Sequence, residues 1–516
     1  MVWIRKPPLG PTAAWLPWLG WAFLSALLSA QPLSSTAFLA RWSAVLAFFS
    51  LAAAWKEEDR EAWLKTLLAA ISILALAALW TGAPLGFRAE MTGLLPPYYN
   101  YTTFALSAGV AAGAVWALHP RTASAGRRRT GFAAAALGAV CLVLAHGRGA
   151  QLGVIAAAIV WAARRWGAKA GLTGVVAVGL AAGALQTGLL PASWRADIAH
   201  HGGRYEGARP DIWRGAAKIA DASPWFGAGP GSFGAAFRLH PAEARGGAAA
   251  RWGMNTDYAH SEPLQAAAET GWAGLALWLI ALGASSSFLL GRASEEPARE
   301  AAAIAAVAMG VNLAVDNMLQ IPGLAMLFFS ALAVAGAGPA SGRRWPRAAI
   351  AVGALLAFVG WIPRALADGD PARAAALFPR ESYPREDLAY RAMTAGKLME
   401  ADALWVQAEE RAPYDAVYPW RRAQIAAAQG RWDAAEKFAA RAAELEPFFL
   451  NDRVLLAEAM ARSGRRREAR AELSAILGAL HDRGGRPAVP GYESVVWEFD
   501  RKEFDRVSAL IGRAAR

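Results

Sequence analysis

Apolar residues gather in long uninterrupted blocks over the first 363 positions of the chain. The blocks cover 15–30, 37–55, 63–80, 99–118, 131–145, 149–163, 170–190, 264–290, 300–315, 321–338 and 348–363. They run from 15 to 27 residues, and a helix needs roughly 17–25 to cross a bilayer. Eleven membrane spans are therefore predicted, and with them an all-α polytopic bundle. The first block follows Arg5 and Lys6 with no small-residue cleavage site after it, so it is expected to remain as an anchor. Trp15, Trp18, Trp21, Trp80, Tyr98, Tyr99 and Tyr101 are expected to form interfacial belts.

The pattern changes after residue 363. Gly396, Gly430 and Gly464 stand 34 residues apart, as do Ala401, Ala435 and Ala469, and so do Pro413 and Pro447. Glycine ends a tight turn, small alanines let two helices approach, and proline stops a helix. A helical unit of that period resembles the tetratricopeptide repeat. Three copies fit 382–483, with Trp497, Phe499 and Phe504 in a capping segment 484–516. The expected organisation is a membrane part, 1–363, holding a hydrophilic stretch at 191–263, and an α-solenoid tail, 364–516, suited to binding a protein partner.

Charge distinguishes the two parts. The chain carries a net +12, but 364–516 holds 25 Lys/Arg against 24 Asp/Glu, and the excess lies in the membrane part. That placement argues against nucleic acid as a partner and for orientation in a membrane. With the N-terminus in the cytoplasm, one side receives Arg5/Lys6, Lys56/Arg60, Arg121 with Arg127–Arg129, Arg164/Arg165/Lys169, Arg292/Arg299 and Arg343/Arg344/Arg347. The short loops of the other side carry only Arg88 and Arg148. Stretch 191–263 then lies outside the cytoplasm, and with an odd number of spans so does the tail. The expected location is a bacterial inner membrane with a periplasmic C-terminal domain. The single cysteine, Cys141, rules out an intrachain disulfide.

Three polar segments carry candidate chemistry: HGRG at 146–149, RPDIWRGAAKIADASPWFGAGPGSFGAAF at 209–237, and HSEPLQAAAETGWAG at 260–274. In order and spacing they resemble the O-antigen ligase/polymerase family. Arg148 matches that family's first arginine, and Arg209 with Trp213 its second element. Pro224, Gly227, Gly229, Gly231 and Phe233 match its glycine turn. His260, Leu264, Glu269, Gly271 and Gly274 match the head of the following span. Gly147 and Ser261 replace the family's usual Ser and Asn. The resemblance covers about 130–330.

The resemblance implies transfer or polymerisation of a glycan from undecaprenyl diphosphate onto an acceptor hydroxyl outside the cytoplasm. The acceptor is a lipid A core, a glycan or a protein. The donor's leaving group is a diphosphate, and arginine suits that charge because it is always protonated and contacts phosphate in two places at once. Arg148 and Arg209 are expected to neutralise it. Histidine ordinarily titrates near neutrality, so His260 is expected to take the acceptor's proton. Direct attack inverts the anomeric carbon. Neither a cofactor nor a metal is implied: His200, His201 and His240 match no standard ligand spacing. The glycines are read as a structural turn, since no P-loop Lys-Ser/Thr follows. Arg41, Arg88 and Asp316 are expected at the same outer level, as candidates to line the cleft. Two non-enzymatic readings compete. A lipid-linked oligosaccharide flippase needs cations along a path inside the bundle, where only Arg41 and Lys65 lie well within spans. A membrane-anchored repeat scaffold leaves the order of Arg148, Arg209, the glycine turn and His260 unexplained.

Overall fold

A computed structural model of the chain describes residues 11–82, 99–122, 124–145, 147–186, 209–239, 256–336, 362–363, 365–483 and 498–512. Arg88, most of the predicted span 348–363 and much of stretch 191–263 lie outside the described residues. Among the described residues all regular structure is helical. The membrane part holds α1 (Leu16–Leu28), α2 (Pro32–Ala52), α3 (Glu57–Gly82), α4 (Tyr99–Leu118), α5 (Ala125–Leu144), α6 (Arg148–Trp166) and α7 (Ala168–Gln186). It continues with α8 (Arg209–Ala222), α9 (Phe233–Leu239), α10 (Glu262–Ser285), α11 (Pro297–Leu313) and α12 (Pro322–Gly336).

Among the described residues four helices, α2, α3, α4 and α10, are long and apolar enough to cross a membrane. The other predicted blocks, as far as they lie among the described residues, also fall on helices. Some of these are short, such as α1 with 13 residues. Others begin or end in charge, as α5 does with Arg127–Arg129 in its first turns and α6 with Arg164 and Arg165 in its last. Phe23, Leu27, Ile73, Val143, Leu180 and Ile280 expose large apolar side chains along these helices. Such a surface is suited to hydrocarbon and not to water. Helices approach closely where side chains vanish. A Cβ on Gly153 of α6 would overlap the Ala308 carbonyl of α11, and one on Gly113 of α4 would meet the Gly131 carbonyl of α5.

Two of the predicted belt residues belong elsewhere. Trp15 and Trp18 are fully buried, packed with Trp42 and Phe329: the Trp18 and Trp42 rings are 4.6 Å apart and Trp15 and Phe329 5.0 Å. The Trp15 indole N–H donates to Ser285 Oγ at 2.8 Å. A tryptophan near a span end is ambiguous in sequence. Here Trp15, just before α1, and Trp18 within it face the other helices and fill the core. Trp80 remains highly exposed.

Charged contacts sort into two ends of the bundle. At one end Arg60 pairs with Glu296 at 2.7 Å, Arg121 with Glu295 at 2.8 Å, Arg127 with Glu61 at 2.7 Å, and buried Arg164 with buried Glu300 at 2.9 Å. Arg164 also donates to the carbonyls of Phe288, Leu289 and Gly291, which follow α10. These loops are the ones whose basic excess predicted a common side. The other end gathers the α1–α2 turn, the segment around α8 and α9, the start of α10 and the turn after α11.

The tail consists of α13 (Pro371–Leu377), α14 (Tyr383–Thr394), α15 (Leu398–Arg411), α16 (Val417–Ala428), α17 (Trp432–Leu445), α18 (Leu450–Arg462), α19 (Arg466–Arg483) and α20 (Arg501–Gly512). Helices α14–α19 pack as successive antiparallel neighbours. The 34-residue spacing has a direct structural meaning. Gly396, Gly430 and Gly464 all take positive φ, 73°, 72° and 86°. Each closes a helix by the same pair of bonds, as in Gly430 N–H to Ala427 O and Arg431 N–H to Ala426 O. Ala401, Ala435 and Ala469 are wholly buried where the paired helices touch.

The tail sits against the second end of the bundle. Glu381 accepts from the Leu33 amide at 3.0 Å, Tyr414 Oη bonds Gln31 Nε2 at 3.1 Å, and Arg238 of α9 lies over the Tyr414 ring at 5.6 Å. Leu33 packs with Ala367 and Ala374, and Ala235 joins the tail's apolar core.

Candidate functional site

The turn after α11 is where the predicted residues meet. Asp316, almost fully buried, lies between two of them. Arg209, first residue of α8, donates to the Val315 carbonyl at 2.7 Å and faces the Asp316 carboxylate at 3.6 Å. His260 Nδ1 is 3.4 Å from the other Asp316 oxygen, which also accepts from the Asn317 amide at 3.0 Å. Arg148 reaches the same place through its backbone. It opens α6, and a Cβ on its neighbour Gly149 would lie 3.0 Å from Val315 and 3.3 Å from Asn312 Oδ1. Arg148 is exposed. The N-cap of α6 is Gly147, which offers no side chain, and the positive end of a helix dipole lies beside that arginine. Asn312 Oδ1 is buried with no hydrogen-bond partner among the described residues.

His260 is held in an unusual conformation. Its φ is +49°, and it is the only non-glycine with positive φ among the described residues. Such backbone persists only where its surroundings over-determine it. Here the Trp213 indole donates to the His260 carbonyl at 3.3 Å, and the preceding Ala259 amide donates to Gln265 Oε1 at 2.7 Å. Ionised carboxylates only accept hydrogen bonds, so the Asp316 contact selects the imidazole tautomer protonated on Nδ1. Nε2 then keeps its lone pair, 3.4 Å from Thr256 Oγ1.

The glycine turn holds this arrangement from behind. Gly227, Gly229 and Gly231 have φ of 64°, 104° and 73°. Buried Glu269 accepts from the amides of Gly231 and Phe233 and from Gln265 Nε2, the last at 2.7 Å. Gln265 therefore links the turn, through Glu269, to the amide before His260. The turn's amides are committed to α10: Ala228 N–H donates to Ala268 O at 2.9 Å and Gly229 N–H to Glu269 O at 3.0 Å. The turn is thus structural, as its sequence suggested. Phe233 is buried with Ile212, Ala216 and Phe237, fastening α9 to α8. The Pro224 carbonyl accepts from the Ala273 amide at 3.4 Å.

Arg41 serves a neighbouring part of the turn. It donates to the Gln320 carbonyl at 3.1 Å and to Gln320 Oε1 at 2.6 Å. Glu262 accepts from the Leu319 amide at 2.6 Å and faces Gln320 Nε2 at 3.4 Å. Glu262, Gln265 and Gln320 had not been singled out in the sequence. Their signal was faint: polar side chains at the apolar head of a predicted span, at positions with no place in a recognised motif.

Comparison with protein families agrees with this geometry. Residues 133–279 match the family model described as O-antigen ligase. That stretch, with Arg148, Arg209, the glycine turn, His260 and Glu269 inside it, is similar to the O-antigen ligase family, and four of the described helices are long and apolar enough to cross a membrane. A search of curated proteins finds no match to the chain.

Proposed function

We propose that the chain transfers a glycan from a polyprenyl diphosphate donor to an acceptor hydroxyl at the outer face of the inner membrane. The observation that carries this reading is the convergence on Asp316. One arginine, one histidine with an available Nε2, and the start of α6 with a second arginine all meet there. Arg148 and Arg209 bind the diphosphate, at the positive end of the α6 dipole. The acceptor hydroxyl attacks the anomeric carbon, and the bond from that carbon to the phosphate oxygen breaks. The hydroxyl proton passes to His260 Nε2, and polyprenyl diphosphate leaves with the bonding pair. The carbon inverts in this single step, and no metal or cofactor takes part. Asp316 holds the imidazole and stabilises the imidazolium that forms. Residues 1–363 form the transferase domain, with Arg41 and Arg88 at the outer level of its cleft, and 364–516 a tetratricopeptide-like domain on the periplasmic side.

The acceptor is a lipid A core, a growing glycan or a protein, and the docked tail favours an acceptor or assembly partner recruited beside the site. Deletion of the gene is the test. Loss of long-chain surface glycan with accumulation of the lipid-linked precursor is expected, restored by the wild-type chain and not by Arg148→Ala, Arg209→Ala or His260→Ala at equal abundance. Full restoration by Arg148→Ala and His260→Ala would refute the assignment.

A further inference from the structure

Between α16, α17, α18 and α20 the tail forms a cavity of about 360 Å³ that is open to solvent on one side. Its lining is a half-buried tryptophan ring among planar polar side chains: Trp432, Gln424, Asn451, Asp500, Glu503 and Arg506. We propose that this cavity binds one or two sugar units of a glycan chain. The inference rests on the reading of the membrane part as a glycan transferase for the choice of glycan, but the site it names is separate.

Two features favour a sugar. The first is the pattern of uncommitted hydrogen-bonding groups. Gln424 Oε1 accepts from Arg421 at 2.9 Å and Asn451 Oδ1 from the Asp500 amide at 2.8 Å, so both amide oxygens are occupied. Neither amide's NH₂ group has a hydrogen-bond partner among the described residues. Asp500 uses Oδ1 for the amides of Lys502 and Glu503, at 2.9 and 3.1 Å, and Oδ2 remains as an acceptor. Two donors and an acceptor beside an aromatic ring match a sugar, which offers hydroxyls on its rim and C–H groups on its face. Arg462 sits 4.5 Å from the Trp432 ring centroid and braces that ring.

The second feature is charge. Glu458 and Glu503, the other carboxylates of the lining, are both paired with Arg506, and Glu458 also with Arg462 at 3.1 Å. Asp500 is then the one lining carboxylate without an ion pair among the described residues, and a single charge is little to select a basic peptide. Recognition of an extended peptide also needs main-chain partners along a groove. Here the free groups converge on one cavity of small-ligand size.

The test uses the full-length chain in lipid nanodiscs, carrying Arg148→Ala and His260→Ala to suppress turnover. The probe is oligosaccharide released by mild acid from the host's own lipid-linked pool, with a random peptide pool titrated in parallel. Calorimetry is expected to show oligosaccharide binding. Loss of two hydrogen bonds in Gln424→Ala/Asn451→Ala should weaken it about tenfold, Trp432→Ala should weaken it similarly, and Trp432→Phe should retain most of it. The Gln424/Asn451 pair keeps the test valid should Trp432→Ala fail to fold. Unchanged binding in that pair, or peptide binding that the same variants abolish, would overturn the proposal. Failure of the transfer reading shows separately, as normal turnover in the Arg148→Ala/His260→Ala chain.

Discussion

Asp316→Asn isolates the electrostatics of the candidate site with little change of shape. The carboxylate lies 3.6 Å from Arg209 and 3.4 Å from His260 Nδ1. At an effective dielectric of about 20, each contact is worth roughly 4–5 kcal/mol of gross Coulomb energy. Arg209 and His260 are about a quarter to a third exposed, so solvent screening roughly halves that. Loss of about 2–3 kcal/mol at the imidazolium-forming step slows transfer roughly 30- to 150-fold. The asparagine carbonyl can still accept the Asn317 amide, so abundance and melting temperature should stay near wild type. The assay is the initial rate of glycan transfer by purified protein from a lipid-linked donor. A second variant tests the mechanism. If Asp316 acts through His260, then Asp316→Asn combined with His260→Ala should be no slower than His260→Ala alone, because residues acting as a unit are not additive. A rate within twofold of wild type for Asp316→Asn, or a fully additive double variant, would refute the reasoning.

Three further outcomes are expected. Gly271→Ala should destabilise the protein by about 1–3 kcal/mol or more, read as a lower melting temperature in detergent, because φ is +76° and a Cβ would lie 2.5 Å from the Pro224 carbonyl oxygen; an unchanged melting temperature would contradict the broken-helix geometry. Burial first, then the nearby Asp415 carboxylate, pushes Glu386 up to about 7, so its folded form binds more protons than its unfolded form between about pH 4.5 and 7 and stability falls as pH rises through that window; Glu386→Gln should flatten the pH dependence of the tail's unfolding there, and an identical slope would refute the shift. A cysteine at Ala125 should be shielded from an impermeant thiol reagent in whole cells, while one at exposed Asp257 should react; the reverse pattern would invert the orientation.

The helical class was readable from apolar block length alone, and the tail's turns from the spacing of Gly396, Gly430 and Gly464. The reason is physical: a bilayer thickness and a helix-ending positive φ each leave a one-dimensional trace. The site residues Arg148, Arg209 and His260 were legible only as motifs in order. Asp316 was expected at the same outer level, but its place between Arg209 and His260 was not legible, because it is distant in sequence and belongs to a turn with no pattern of its own. The burial of Trp15 and Trp18 was likewise hidden, since a belt tryptophan and a core tryptophan occupy the same place near a span end. The roles of Glu262 and Gln265 appeared only once the irregular backbone they satisfy was seen.

That backbone explains why the glycine turn and the head of α10 occur together. Helix α10 breaks at Gly271, within a segment apolar enough to span a membrane. Broken backbone at such a depth is tolerated only where protein groups satisfy the freed carbonyls and amides. Gly229 N–H and Ser25 Oγ serve the Glu269 carbonyl, at 3.0 and 3.1 Å, and Trp21 Nε1 serves the Thr270 carbonyl at 3.1 Å. Conversely, the Glu269 side chain satisfies amides of the turn. Each segment supplies what the other lacks, and Gln265 extends the arrangement to the amide preceding His260. The two motifs are therefore halves of one structure whose effect is to hold an imidazole at positive φ against Asp316. Removing either half, by Glu269→Ala or by Gly229→Ala, should loosen the same histidine, although neither residue touches it.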